Sequence, residues 1–253
     1  MFSAWLLSVA CTAAPTPEPA APETPAPAEA GSPQSIVAAP DRTDEDRQTD
    51  ARRHPEELLA FLGVKPGERV ADLAAGSGYS TELLARAVGP SGVVYAQNDR
   101  QTLEKFVSES WPKRLARESM RGVVRLDREF DAPLSPEAKD LDLVTLFFSY
   151  HDVIVRGVDR SALNGAVFQA LRPGGLYVVA DHQAPPGSGI AAASSLHRIE
   201  EKIVRQEIEA AGFSFVESAD FLEDPSDDGT APSFAREFRT DRFILKFRKP
   251  EAP

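Results

Sequence analysis

The fold class this sequence predicts is α/β: a doubly wound sheet with helices on both faces. Three observations predict it. From about residue 55 onward, short apolar runs of strand length alternate with stretches whose apolar residues recur at helical spacing. Residues 70–80, V-A-D-L-A-A-G-S-G-Y-S, pass from a buried strand through a glycine turn into a helix. The chain then closes on two strand-like runs, 215–219 and 243–247, without a helix signature between them, as an antiparallel pair would.

The elements follow in order. Residues 2–10 form a short apolar run that ends at Cys11. It is too short to cross a bilayer and has the length of a signal-peptide core. Small residues before the cysteine resemble a bacterial lipoprotein cleavage box, although Ser8 stands where that box has leucine and no Lys or Arg precedes the run. The expectation is an exported chain, periplasmic or held to a membrane by a lipid on Cys11, with a cytoplasmic enzyme as the alternative. Residues 12–40, rich in Pro, Ala, Glu and Thr, are expected to be a disordered tether. The folded domain is placed at 41–253, with a densely charged surface helix over 41–53.

A lead-in helix starts at Pro55, carries Leu58, Leu59 and Leu62 on one face, and stops at Gly63. Residues 69–73 are the first strand, 81–88 a helix, and 93–97 the second strand. Residues 101–120 read as a helix broken at Trp111-Pro112, followed by a third strand at 123–126 and a fourth at 141–148. A helix over 160–171 is stopped by Arg172-Pro173-Gly174-Gly175, and the fifth strand is 176–180. Pro185-Pro186-Gly187 opens a long loop, Ile199, Ile203, Val204 and Ile208 mark a further helix, and 223–230 is a polar excursion.

Composition narrows the functional classes. The chain has 39 acidic and 28 basic residues, a formal charge of −11, and no basic stripe interleaved with aromatics, so nucleic acid is excluded as a partner. A single cysteine excludes a disulfide framework and a thiolate metal site within the chain.

The run D-L-A-A-G-S-G at 72–78, the strand about 20 residues later, and L-R-P-G-G-L-Y-V-V at 171–179 resemble the class I S-adenosylmethionine-dependent methyltransferases. The likeness extends from residue 55 to 249. It implies a Rossmann-like sheet of seven strands in the order 3-2-1-4-5-7-6, the last antiparallel, and S-adenosylmethionine as cofactor. More narrowly, Y-H-D at 150–152, D-H-Q-A at 181–184, L-H-R-I at 196–199 and the closing D-R-F-I-L-K-F-R-K-P are similar to a group of exported predicted methyltransferases of unknown substrate.

Asp72, Ala74, Gly76 and Gly78 are then the expected cofactor loop, with Tyr79 lining the sulfonium pocket through its π face. Ala74 replaces the first glycine of the family's D-x-G-x-G-x-G pattern. Asn98 stands where the family holds a ribose-binding acid, with Asp99 beside it as a substitute one residue along. Asp127 or Glu129, after the third strand, is expected to meet the adenine amino group.

Ligands of open α/β sheets sit beyond the carboxyl ends of the strands, and three of the four histidines map there: His151, His182 and His197, with Asp152 and Asp181 as neighbours. Two readings of that rim compete. In the first, His151 or His182 is a general base for a small-molecule methyl acceptor, and an aspartate fixes its tautomer. In the second, His151, Asp152, His182 and His197 ligate a divalent metal. The first is preferred, and no metal is assigned, because no H-x-x-x-H spacing marks a site. A further alternative is an exported binding protein or metal-dependent hydrolase that reuses the scaffold, since S-adenosylmethionine is a cytoplasmic product.

Overall fold

A computed structural model describes residues 1–2, 31–235 and 239–251. Cys11 and most of the expected tether lie outside the described residues. The sheet has seven strands: β1 (Arg69–Leu73), β2 (Val93–Asn98), β3 (Val123–Asp127), β4 (Leu141–Phe147), β5 (Leu171–His182), β6 (Ser214–Ala219) and β7 (Arg242–Arg248). Their order is β3-β2-β1-β4-β5-β7-β6. The β1–β2, β1–β4, β2–β3 and β4–β5 ladders are parallel, and β7 runs antiparallel between β5 and β6. This is the doubly wound arrangement the sequence predicts, and it sets the carboxyl ends of β1, β2, β4 and β5 along one rim.

Ten α-helices surround the sheet among the described residues: α1 (Pro33–Val37), α2 (Asp44–Arg53), α3 (Pro55–Leu62), α4 (Tyr79–Val88), α5 (Arg100–Lys105), α6 (Ser110–Leu115), α7 (Tyr150–Val155), α8 (Arg160–Ala170), α9 (Ala191–Leu196) and α10 (Glu201–Ala210). No helix among the described residues is long and apolar enough to cross a membrane. The period of two along each strand divides the core between the two faces. Leu73, Val144, Leu146, Val179 and Leu245 pack with Val153 of α7, Leu163 and Val167 of α8 and Val204 and Ile208 of α10. Val70, Val94, Leu143, Val178 and Ile244 pack with Leu58 and Leu62 of α3 and Leu84 and Val88 of α4.

Four local expectations are corrected. The tether does not extend to residue 40: Ser32 caps α1, and Ile36, only 5% exposed, packs on Leu59, Leu83 and Ala87. One buried Ile in a proline-rich stretch is enough to dock a turn of helix. The charged stretch before α3 is not simply a surface helix. Asp46 is buried and binds Arg114 (2.6 Å) and Arg117 (3.0 Å), which also hold Glu82 of α4, while Arg42 pairs with Asp50. Strand β5 begins at Leu171, opposite Leu141, and the register then jumps to Leu143 opposite Leu176, so the R-P-G-G segment is a bulge within the ladder. Finally, α7 and α9 occupy stretches expected to be loops.

Candidate active site

The turn after β1 is built from left-handed backbone: Ala74 has φ 53°, Gly76 φ 58° and Gly78 φ 85°. The two glycines do different work. A Cβ on Gly78 would lie 2.5 Å from Cζ3 of Trp111, so this glycine makes room for a buried indole and not for a ligand, contrary to the expectation that both admit the cofactor. A Cβ on Gly76 would meet only the Ala74 carbonyl oxygen, at 3.9 Å, and Gly76 lines two cavities.

Side chains at the end of β2 hold this turn in place. The Ala74 amide donates to Oε1 of Gln97 (3.0 Å). The Gly76 amide donates to Oδ1 of Asn98 (2.8 Å), and Nδ2 of Asn98 donates back to the Gly76 carbonyl (3.0 Å). Asn98 thus clamps the loop and does not offer its amide to a ribose. Asp99 does not substitute for it: its carboxylate caps α5 through Thr102 and pairs with Arg156. Asp127 faces Arg125 (2.6 Å), and Glu129 is exposed; the third strand's end contributes Phe130 to the cavity instead.

On one side of Gly76 lies a cavity of about 200 Å³ lined by Arg53, Asp72, Ala74, Tyr79, Ser80, Phe148 and Ser149. Asp72 is buried and accepts hydrogen bonds from Thr81 Oγ1 (2.6 Å) and Thr145 Oγ1 (2.8 Å); burial nevertheless pushes its carboxyl up to about 6. Arg53, at the end of α2, places its guanidinium 3.9 Å from the Phe148 ring centroid. Burial and the charge of Arg242 push it down to about 10, and it forms no ion pair among the described residues. Sequence reasoning missed Arg53; its position just before a His-Pro helix start was the available signal. Tyr79 lines this cavity, with its hydroxyl spent on Asp50 (2.6 Å).

On the other side is a cavity of about 500 Å³, lined among others by Ala74, Gly76, Thr102, Phe130, Ser149, Asp152, His197 and Phe234. The structure brings all five predicted rim residues together, with Asp152 and His197 in the lining of this cavity and His151, Asp181 and His182 packed next to them. Asp181, fully buried, accepts from the main-chain amide of His151 (2.9 Å) and of His182 (2.7 Å), and its Oδ1 lies 2.7 Å from Nδ1 of His151. Burial opposes charge on both partners, but their mutual attraction prevails, raising the basicity of His151 and lowering the Asp181 carboxyl; Asp152 adds to the effect at His151. His182 bonds Thr240 Oγ1 (2.7 Å), and burial pushes its imidazole down to about 3, so it stays neutral and is no base near neutral pH. His197, with left-handed backbone (φ 50°), packs against Phe234 and turns its ring edge-on to His151, their centroids 5.3 Å apart. His54 lies outside this rim, near Glu57, as expected.

A strand–turn–helix with a buried acid and a facing cleft is the cofactor-binding half of one large fold group, and comparison with known proteins agrees. The fold is that of class I S-adenosylmethionine-dependent methyltransferases. A solved S-adenosylmethionine-dependent methyltransferase from Aquifex aeolicus superposes with TM-score 0.58 at 18% identity, covering 82% of this chain and all of that one. In sequence, the chain is 41% identical over 69 residues to a protein-L-isoaspartate O-methyltransferase of Aeropyrum pernix, 27% of this chain and 25% of that protein. It is 29% identical over 140 residues to a ubiquinone/menaquinone biosynthesis C-methyltransferase of Teredinibacter turnerae, 55% of this chain and 53% of that protein. The matched regions thus span about half or less of these relatives. No family model matches the chain. S-adenosylmethionine is the cofactor that these similarities support.

Proposed function

We propose that this chain transfers the sulfonium methyl of S-adenosylmethionine to a small-molecule acceptor, with the His/Asp rim supplying the general base. The observation that carries the reading is the presence of both Asp72 and Arg53 in the lining of the smaller cavity. A buried carboxylate and a half-buried guanidinium that forms no ion pair among the described residues suit the ammonium and carboxylate of an α-amino acid, which is one end of this cofactor. Ala74, Gly76 and Ser149 line both cavities, so one ligand can run from the amino-acid pocket past Gly76 into the larger cavity, where Phe130 and Thr102 are available to the adenosyl end.

Methyl transfer from a sulfonium is a direct displacement, in which the acceptor's electron pair forms the new bond to carbon as the S–C pair returns to sulfur. The protein contributes alignment and proton removal. His151 suits the second task. Its Nδ1 is engaged by Asp181, which leaves Nε2, 3.5 Å from the cavity-lining Asp152, to take the acceptor's proton. Asp181 positions the ring and balances its charge.

Calorimetric titration with S-adenosylmethionine and its demethylated product tests the reading. One site per chain is expected, with Arg53→Ala weakening it by about 10–100-fold, the worth of a charge-assisted hydrogen bond. Absence of binding by either compound favours the exported binding protein or metal-dependent hydrolase. Export with a lipid on Cys11 is part of the same proposal, tested by the mass of the mature N-terminal peptide from native membranes.

A further inference from the structure

We propose that His151, Asp152 and His197 bind one divalent first-row transition ion. Oδ1 of Asp152 lies 3.5 Å from Nε2 of His151 and 3.6 Å from Nδ1 of His197, and one ligand atom from each of the three residues falls within 4.8 Å of the other two. These separations are too long for good hydrogen bonds. They suit an ion placed between the atoms: tetrahedral ligands at about 2.0–2.1 Å from zinc are about 3.3 Å apart. Two edges of that figure already stand, and the third is no longer than 4.8 Å.

The arrangement around the donors supports the same conclusion. With its proton on Nδ1, facing Asp181, the His151 ring presents a lone pair at Nε2, and the carboxylate–imidazole contact orients that lone pair as it does in metal-ligating histidines. Asp152 and His197 line the 500 Å³ cavity, so an ion held here keeps an open position toward a ligand. Two imidazoles and one carboxylate suit zinc or iron(II) over calcium or magnesium. His182, spent on Thr240, is not part of the set.

The site stands on its own geometry; its use rests on the methyl-transfer reading. A proton and a metal ion compete for the same Nε2 lone pair. With the ion in place, the acceptor's oxygen binds at the open position and its hydroxyl is acidified there, its proton going to solvent, so that His151 holds the ion in place of accepting the proton.

The test is titration of the full chain, dialysed against chelator, with Co²⁺ followed by its visible absorption, together with elemental analysis after loading with Zn²⁺. The expected result is one equivalent per chain, with affinity lowered at least 10-fold in His197→Ala and in Asp152→Asn, and 10–100-fold in Asp181→Asn, whose carboxylate only orients a ligand. Circular dichroism on each variant separates lost ligation from lost folding. No stoichiometric binding, or binding undiminished in folded His197→Ala and Asp152→Asn, overturns the proposal. Binding of S-adenosylhomocysteine, measured on the same metal-free preparation, keeps the two readings apart. Cofactor binding without metal binding sinks only the metal site, and metal binding without cofactor binding sinks only methyl transfer.

Discussion

Asp72→Asn should make the ligand-free protein more stable at neutral pH while weakening its hold on cofactor. Asp72 is buried, its oxygens meet two threonine hydroxyls, and its carboxyl is raised from 3.8 to about 6. A folded-state value above the unfolded one means that the native chain binds the extra proton. The resulting stabilisation is complete below pH 3.8 and is lost as pH rises through about 6. A rise of that size is worth about 3 kcal/mol between the two limits. Asn has the same shape, carries no charge to desolvate and can still bond both hydroxyls. Urea unfolding of ligand-free protein at a series of pH values should therefore show the variant and wild type similar near pH 4. By pH 7 the variant should be ahead by on the order of 1–3 kcal/mol. A difference independent of pH, or wild type the more stable at pH 7, would refute the reasoning. The same linkage makes binding of an ammonium-bearing ligand release a proton from wild type below pH 6, so affinity should fall as pH drops through that value, and should do so much less in the variant.

Ala74 holds a left-handed φ of 53° that costs an L-residue about 1–2 kcal/mol, so Ala74→Gly should stabilise the fold by a net about 0.5–1 kcal/mol after the flexibility gained in the unfolded chain, read as a higher melting temperature. Gly78→Ala should lower stability by about 1–3 kcal/mol by driving a methyl group into Trp111, whereas Gly76→Val, whose Cβ meets nothing closer than 3.9 Å, should lose stability only through the strain of a β-branched residue at φ 58° and should block cofactor; thermal melts and calorimetry on the pair separate the two glycines. Asn98→Asp, which restores the residue type common at that position in the resembled family, should cost about 1–3 kcal/mol, because it removes the Nδ2 donor and sets a carboxylate against the Gly76 carbonyl; chemical denaturation reads this directly.

The sheet was legible because its strands are apolar runs bounded by turn residues, and their observed limits depart little from those the pattern implies, β5 excepted. Strand order came from the family resemblance, since periodicity does not say which strands are neighbours. The rim was legible because His151, His182 and His197 each sit where a predicted strand or its loop ends. The rest depended on contacts between distant segments. Ile36 docks α1 onto α3 and α4, and the Asp46–Arg114–Glu82 network fixes α2, so that Arg53 reaches a cavity formed by residues 72–80. None of those pairs is close in sequence. Gly78 and Asn98 were recognised as unusual positions, but their partners, Trp111 and Gly76, decide what they do, and a residue's own identity does not reveal its partner. Helices α7 and α9 escaped notice because six residues give too short a stretch for helical periodicity to stand out.

The most direct test of the account is the calorimetric titration of wild type, Gly76→Val and Arg53→Ala with S-adenosylhomocysteine. The account predicts one bound molecule per wild-type chain, none detectable in the folded valine variant and a loss of at least about 10-fold in the alanine variant. Binding equally strong in all three would contradict the assignment of this cleft to the cofactor, and absence of binding to wild type would contradict the methyltransferase reading itself.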